Sequence, residues 1–232
     1  MLEFEKQKSI IDIANKTLPL PKKQKGLIAY QALIYNRFYE VLSHAFPIFF
    51  ETINHDAFEK SIYEFMRYGA KTPYIWQVPG EYRKFVKAKR VFKNLLFIDD
   101  LLWFEWIEIK FFMQQYKKPK TVKFDFKNAY KLGISGVVKK LHYSVHKQDF
   151  QRQSDIYLLA YYDISKEGVF YREISGVMYF FLKNLNSHGL KKSIKILAGL
   201  SDESIKNVRK FLKPALQELC QLGILTIKKK RR

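Results

Sequence analysis

The stretch from Phe97 to Phe112, Phe-Ile-Asp-Asp-Leu-Leu-Trp-Phe-Glu-Trp-Ile-Glu-Ile-Lys-Phe-Phe, constrains the chain more than any other. Its apolar residues recur at helical spacing. Leu95, Ile98, Leu102, Ile109 and Phe112 share one stripe at 3.6 residues per turn, and Leu101, Phe104 and Phe111 widen it to an adjacent face. A helix with two apolar faces must be mostly buried. Asp100 and Glu105 then have to be hydrogen-bonded, paired or exposed, because a carboxylate among buried aromatics is otherwise costly. Asp99 and Glu108 are free to face water. Two acids five residues apart lie about 140° apart around a helix, and no His follows a Glu by three residues. The spacing is not that of a di-iron carboxylate bundle, so the expected role of these acids is structural or interfacial.

A chain of 232 residues holds one large domain or two of roughly 100 to 130. Two are expected: a helical domain over 1–118 and a basic domain over 119–232. The hydrophobic fraction of 47% supplies real cores and argues against disorder. The formal charge of +20 predicts affinity for something acidic, whether nucleic acid, acidic peptide, acidic protein or anionic surface. It is unevenly spread. Residues 1–120 carry 20 Lys+Arg against 13 Asp+Glu, whereas 121–232 carry 22 against 9, so the second half is the basic half.

Cys220 is the only cysteine, which excludes an internal disulfide and a Cys-based zinc cluster. It reads as a buried thiol acting as a small hydrophobe. The N-terminus is charged from Glu3 onward without an apolar signal core, and no run approaches 18 apolar residues. The expectation is a cytoplasmic protein with no membrane partner.

In the first half, residues 3–15 suggest a short amphipathic helix that ends before Leu18-Pro-Leu-Pro21. A long helix is predicted from Leu27 to about Ala45, with Tyr30, Ile34, Phe38, Val41 and Leu42 on its apolar side, and Pro47 ends or kinks it. Asn54 is an N-cap candidate for a helix carrying Phe58, Ile62, Phe65 and Met66, which Gly69 stops. Thr72 to Gly80 reads as an extended connector with two prolines. A short helix with Tyr82, Phe85 and Val86 follows, then a basic turn over Lys87–Arg90.

Tyr30 in a helix, Phe46-Pro47 sixteen residues on, a helix around Phe58, the Pro-rich connector ending at Gly80, and Asp100-Leu-Leu-Trp-Phe-Glu105-Trp106 together resemble the N-terminal domain of HvfC/BufC-type proteins. The resemblance covers about residues 25–112. Trp103 and Phe104 are bulkier than the residues usual there, and the usual His-Pro before the connector is replaced by Gly69-Ala-Lys-Thr-Pro73. That family was catalogued as a DNA-binding domain, and its members are similar to partner proteins that present a ribosomally made precursor peptide to a multinuclear non-haem iron-dependent oxidase. The resemblance implies a non-catalytic accessory role in peptide natural-product biosynthesis, with the iron held by the oxidase and no cofactor here. It also makes Tyr30, Phe46, Pro47, Gly80, Asp100, Glu105 and Trp106 core or interface residues.

Pro119, within Lys117–Lys123, marks the linker. Beyond it Gly136–Val145 and Asp155–Asp163 have strand composition, and Lys166-Glu-Gly168 is a hairpin turn into Val169–Ile174. Three helices follow, over Ser175 to about Asn186, Leu190 to about Ala198 and Asp202 to about Leu222, with Ser201 as N-cap of the last and Ile224–Lys228 as a closing strand. Pro214 predicts a kink near Lys210. The whole is α+β: an all-α N-terminal domain, then a small antiparallel sheet with a winged-helix-like unit. Two uses fit that unit. A precursor peptide could add as a strand at the sheet edge, with Val137, Val138, Leu141 and Tyr143 as the candidate strand. Alternatively, a DNA-binding transcription regulator would read bases and phosphates with Ser204, Lys206, Asn207, Arg209, Lys210, Lys228, Lys229 and Lys230.

Other chemistry is thinly represented. His142 and His146 lack the Glu of the metalloprotease pattern, and no phosphate loop, dinucleotide-binding glycine motif or nucleophile elbow is present. Tyr161 and Tyr162 are better explained as sheet core than as a base-stacking platform.

Overall fold

The computed structural model describes residues 25–116 and 123–228, so the helix expected over 3–15, the linker residues 117–122 and Lys229 and Lys230 lie outside the described residues. The chain divides into two compact units, Met1–Ile109 and Lys110–Arg232, a boundary ahead of Pro119. The fold is α+β, with helices first and small antiparallel sheets in the second unit.

In the first unit α1 (Lys25–Ala45), α2 (Pro47–Thr52), α3 (His55–Tyr68), α4 (Val78–Lys89) and α5 (Ile98–Phe112) enclose an aromatic core. Local chemistry sets the breaks. Pro47 opens α2 in the first turn, where its missing N–H costs nothing. The Asn54 side chain accepts from the Asp56 and Ala57 amides and caps α3, and Gly69 ends that helix at φ 87°, a conformation that suits glycine. Phe49 and Phe58 meet edge to face at 6.0 Å, as do Phe65 and Tyr82 at 5.4 Å, and the buried Tyr82 hydroxyl is satisfied by Ser61 Oγ at 2.6 Å.

Three segments differ from expectation. The Thr72–Gly80 connector is not extended throughout: a 3₁₀ turn covers Ile75–Gln77 and α4 begins at Val78, because Pro79 in a first helical turn starts a helix rather than breaking one. Lys87 and Lys89 belong to the last turn of α4, and only Arg90, left-handed at φ 51°, leaves it. In α5 both apolar faces are buried, but Phe112, the last helical residue, is exposed.

The second unit runs β1 (Tyr130–Leu132), β2 (Gly136–Ser144), β3 (Asp149–Asp163), β4 (Gly168–Glu173), α6 (Gly176–His188), α7 (Leu190–Ser201), α8 (Ile205–Gln221) and β5 (Leu225–Ile227). The order β2-β3-β4 forms one antiparallel sheet and β1-β5 a second, two-stranded ribbon. Register places Val138, Leu159 and Arg172 in one row and Gly136, Tyr161 and Phe170 in the next, on the face that packs against the three helices. Phe181, Leu182, Leu185, Leu212 and Leu216 are fully buried in that core. The opposite rows carry Leu141, Leu158 and Ala160, also buried, so β3 is apolar on both faces and reads as a continuous hydrophobic run.

The hairpin strands, the three helices after them and the returning strand follow the expected order, with one difference: β1, which the sequence did not suggest, pairs with β5. The cap of the last helix is also Ser204, whose hydroxyl accepts from the Asn207 amide, and not Ser201. Ser201 is the last residue of α7 and donates to the Leu197 carbonyl, and Asp202 makes the left-handed turn at φ 54° that lets α8 start afresh. Through Pro214 α8 remains one helix.

Candidate functional site

Of the residues nominated as core or interface, Phe46, Pro47, Gly80, Glu105 and Trp106 lie where α2 and α4 meet α5 in the first unit. Glu105 on α5 accepts from the backbone N–H groups of Ile48 at 2.7 Å and Phe49 at 3.2 Å. These are donors in the first turn of α2, which has no side-chain cap of its own, so a carboxylate reaching over from another helix satisfies them. Phe46, fully buried, and Pro47 fix where that turn lies. Burial raises the Glu105 carboxyl to about 7 despite the two hydrogen bonds, and Glu108 and Glu51 push the same way.

One residue on, Trp106 packs against Gly80 so closely that a Cβ on Gly80 would stand 2.7 Å from Trp106 Nε1. The Arg83 guanidinium lies 4.4 Å from the Trp106 ring centre, a cation–π contact, and its burial lowers the Arg83 pKa. Asp100 is buried on the same helix. Tyr30 stands apart from this cluster: it is 44% exposed on α1. The signature therefore locks α2 and α4 to α5 and leaves Tyr30 on the surface. Beside it the exposed Leu33 shares α1, and Tyr74 and Trp76 are exposed in the connector.

In the second unit the sheet offers two terminal strands. The Ile174 amide donates to the Tyr157 carbonyl at 2.8 Å, which fixes the phase of the β3–β4 ladder: Gly168, Phe170 and Arg172 face β3 with their backbone groups, while Val169 and Glu173 turn theirs away from it. On β2 the Tyr162-to-Ser135 bond fixes the opposite edge, turning the backbone of Val138 and Lys140 outward.

The two edges differ in what stands beside them. Arg172 on β4 pairs with Glu218 on α8 at 2.7 Å, and a groove of about 200 Å³ lined by Arg172, Ile174, Met178, Ala215 and Leu219 runs between the end of β4 and α8. The start of β2 is approached instead by Ile224, whose Cγ2 lies 2.6 Å from where a Gly136 Cβ would stand. The sheet edge beside a helix groove is therefore β4, whereas the sequence pointed to Val137, Val138, Leu141 and Tyr143 on β2. Among these, Leu141 and Tyr143 are buried side chains within the sheet, selected by their apolar character, which marks core as readily as it marks an edge.

Of the six described residues nominated for base or phosphate contacts, four make contacts within the chain. Ser204 is the cap of α8, Asn207 Nδ2 donates to Glu203 at 2.9 Å, and the Arg209 guanidinium stands 5.4 Å from the Phe126 ring centre. Lys206 and Lys210 are exposed, and Lys228 reaches the Asn186 carbonyl at 3.5 Å. Between α6, α7 and α8 lies a larger groove of about 670 Å³, lined by Val177, Leu197, Val208, Phe211 and Pro214. No sequence signal marked it, because its walls come from three helices.

Two histidines stand beside carboxylates: His146 Nε2 is 2.8 Å from Glu173 and His142 Nδ1 3.7 Å from Asp155. Cys220 is buried and its thiol is pushed up to about 11. Among the described residues no three His, Cys, Asp or Glu side chains gather as metal ligands, and no helix is long and apolar enough to cross a membrane. The chain matches no family model and no curated protein.

Proposed function

We propose that this protein is a non-catalytic cytoplasmic partner that holds a precursor peptide as an added strand on β4 and presents it to a multinuclear iron-dependent oxidase. The observation that carries the peptide half of this reading is the β4 edge, with outward-turned backbone at Val169 and Glu173 and a groove against α8 at the end of the strand, where Arg172 and Ile174 line it. Strand addition takes its affinity from such main-chain groups and its specificity from pockets for alternate side chains. The oxidase half rests on the resemblance to HvfC/BufC-type proteins, whose signature residues here form the α2–α4–α5 lock around Glu105 and Trp106. The protein itself supplies binding and no cofactor.

The regulator reading is less well supplied. A recognition helix needs polar side chains free to meet base edges; here Ser204 caps α8, Asn207 donates to Glu203, Arg209 lies over the Phe126 ring and the apolar Phe211 is exposed among them.

Two experiments separate the readings. Affinity capture from nuclease-treated native lysate at moderate salt is expected to recover an iron-binding oxidase together with a small peptide. Retention of specific DNA instead, weakening with a log–log salt slope of about −0.9 per phosphate contacted, would contradict it. Val169→Pro removes an amide that faces away from β3 and should leave the fold intact while weakening peptide capture, whereas Phe170→Pro deletes an amide inside the ladder and should unfold the sheet.

A further inference from the structure

The groove between α6, α7 and α8 is not needed for strand addition on β4, yet it is the larger of the two and lies along the same helix. Its walls are apolar and open: Val177 is 45% exposed and Phe211 66%, with Leu197 and Val208 forming the floor. Large apolar side chains left in water around a concavity mark a docking surface. Three features say what docks there.

The first is charge. Lys210 lines the groove, and Lys206 and Lys213 continue the same file along α8 at spacings of four and three. None of the three has an ion-pair partner among the described residues. Glu203, the groove's one acid, is held by the Asn207 amide at 2.9 Å. From Gly176 to Lys228 there are nine Lys or Arg against three Asp or Glu, so the surroundings are basic as well. The second is a backbone acceptor. Pro214, itself in the groove, has no N–H, so the Lys210 carbonyl lacks its usual donor four residues on. The third concerns one basic run of the sequence: residues 228–232 are all Lys or Arg, and a lysine-rimmed groove repels them.

We infer that this groove is a second docking site, which takes one bulky aliphatic or aromatic side chain of an acidic peptide segment, with flanking carboxylates on Lys206, Lys210 and Lys213. The inference rests on the peptide-partner reading and deepens it: the ligand of β4 continues along α8, past Pro214, into an apolar anchor site. The substrate class is thereby narrowed to peptides in which acidic residues flank a large apolar one.

The test is nuclear magnetic resonance on the full-length protein, titrated with acetyl-Glu-Glu-Leu-Glu-Glu-amide and with two controls, Leu→Ala and all Glu→Lys. Shifts are expected at Val177, Leu197, Val208 and Phe211 with the leucine peptide, about tenfold weaker binding for the alanine control because most of the leucine burial is lost, and none for the lysine control. Phe211→Ser and Val177→Asp, both at exposed positions, should abolish the shifts without unfolding the chain. Absence of shifts at these four residues at millimolar peptide, or equal shifts with the lysine control, overturns the inference. So does displacement of the peptide by an oligonucleotide of equal charge lacking any apolar group, which would assign the lysines to phosphate. The two sites also fail separately. With the peptide recovered by lysate capture, binding lost in Val169→Pro but untouched in Phe211→Ser removes the anchor site and keeps the strand; the reverse pattern removes the strand and keeps the anchor.

Discussion

Glu105 makes the first unit sensitive to pH. Its carboxyl sits at about 7 against an ordinary 4.5, because burial outweighs the two amides of α2 that favour the charge. The folded pKa is raised, so this group's contribution to stability is complete below about pH 4.5 and is lost as pH rises through 7. Over that window the loss amounts to about 3 kcal/mol. Chemical unfolding followed from pH 5 to pH 8 should show the helical unit weakening, and Glu105→Gln should flatten the dependence; an equal slope in the variant would contradict the assignment. Gly80→Ala forces a methyl against Trp106 Nε1 and should cost about 2 kcal/mol, a range typical of overpacking. Trp106→Leu in the same chain should recover part of it, which a double-mutant cycle measures. Little of this was legible beforehand. The sequence shows that Glu105 needs a partner, but its partners lie 57 and 56 residues away, and only the fold brings them together.

Elements whose signals are local were readable, and those whose signals are distant were not. Asn54 and Gly69 announce α3 because a cap acts within its own turn. The Ser-Asp-Glu-Ser run at 201–204 offers two hydroxyls, and the choice between them is made by the left-handed turn at Asp202, which composition does not specify. Ser204→Ala should therefore lower stability by about 1 kcal/mol and Ser201→Ala by clearly less, as read by thermal or denaturant midpoints; the opposite order would mean that α8 starts earlier. β1 escaped notice for the reason that β2 was overvalued. Tyr130–Leu132 is three residues long and finds its partner in Leu225–Ile227, nearly a hundred residues later, while Val137 to Tyr143 shows its apolar pattern openly. Pattern identifies a strand; which edge remains open is decided by how the strands are ordered and by where α8 lies.

For the whole molecule, a charge of +20 permits many acidic partners, and its use is fixed by where the unpaired lysines stand. Several carboxylates are already consumed: Asp155 by Lys140, Glu218 by Arg172, Glu173 by His146 and Lys147. Such exposed pairs add little stability, and they leave the Lys206–Lys213 file of α8 open to a partner. Partner binding should accordingly weaken with salt only modestly, as a few charge contacts at the rim of an apolar site require, and not with the steep slope of a protein covering many phosphates. The most direct measurement is hydrogen–deuterium exchange, amide by amide, of the free protein and of its complex isolated with peptide. Strand addition on β4 predicts that Val169 and Glu173, fast in the free protein, slow on binding while Phe170 and Arg172 stay slow throughout. Unchanged exchange at Val169 and Glu173, with protection confined to α8 or to the outer edge of β2, would contradict it.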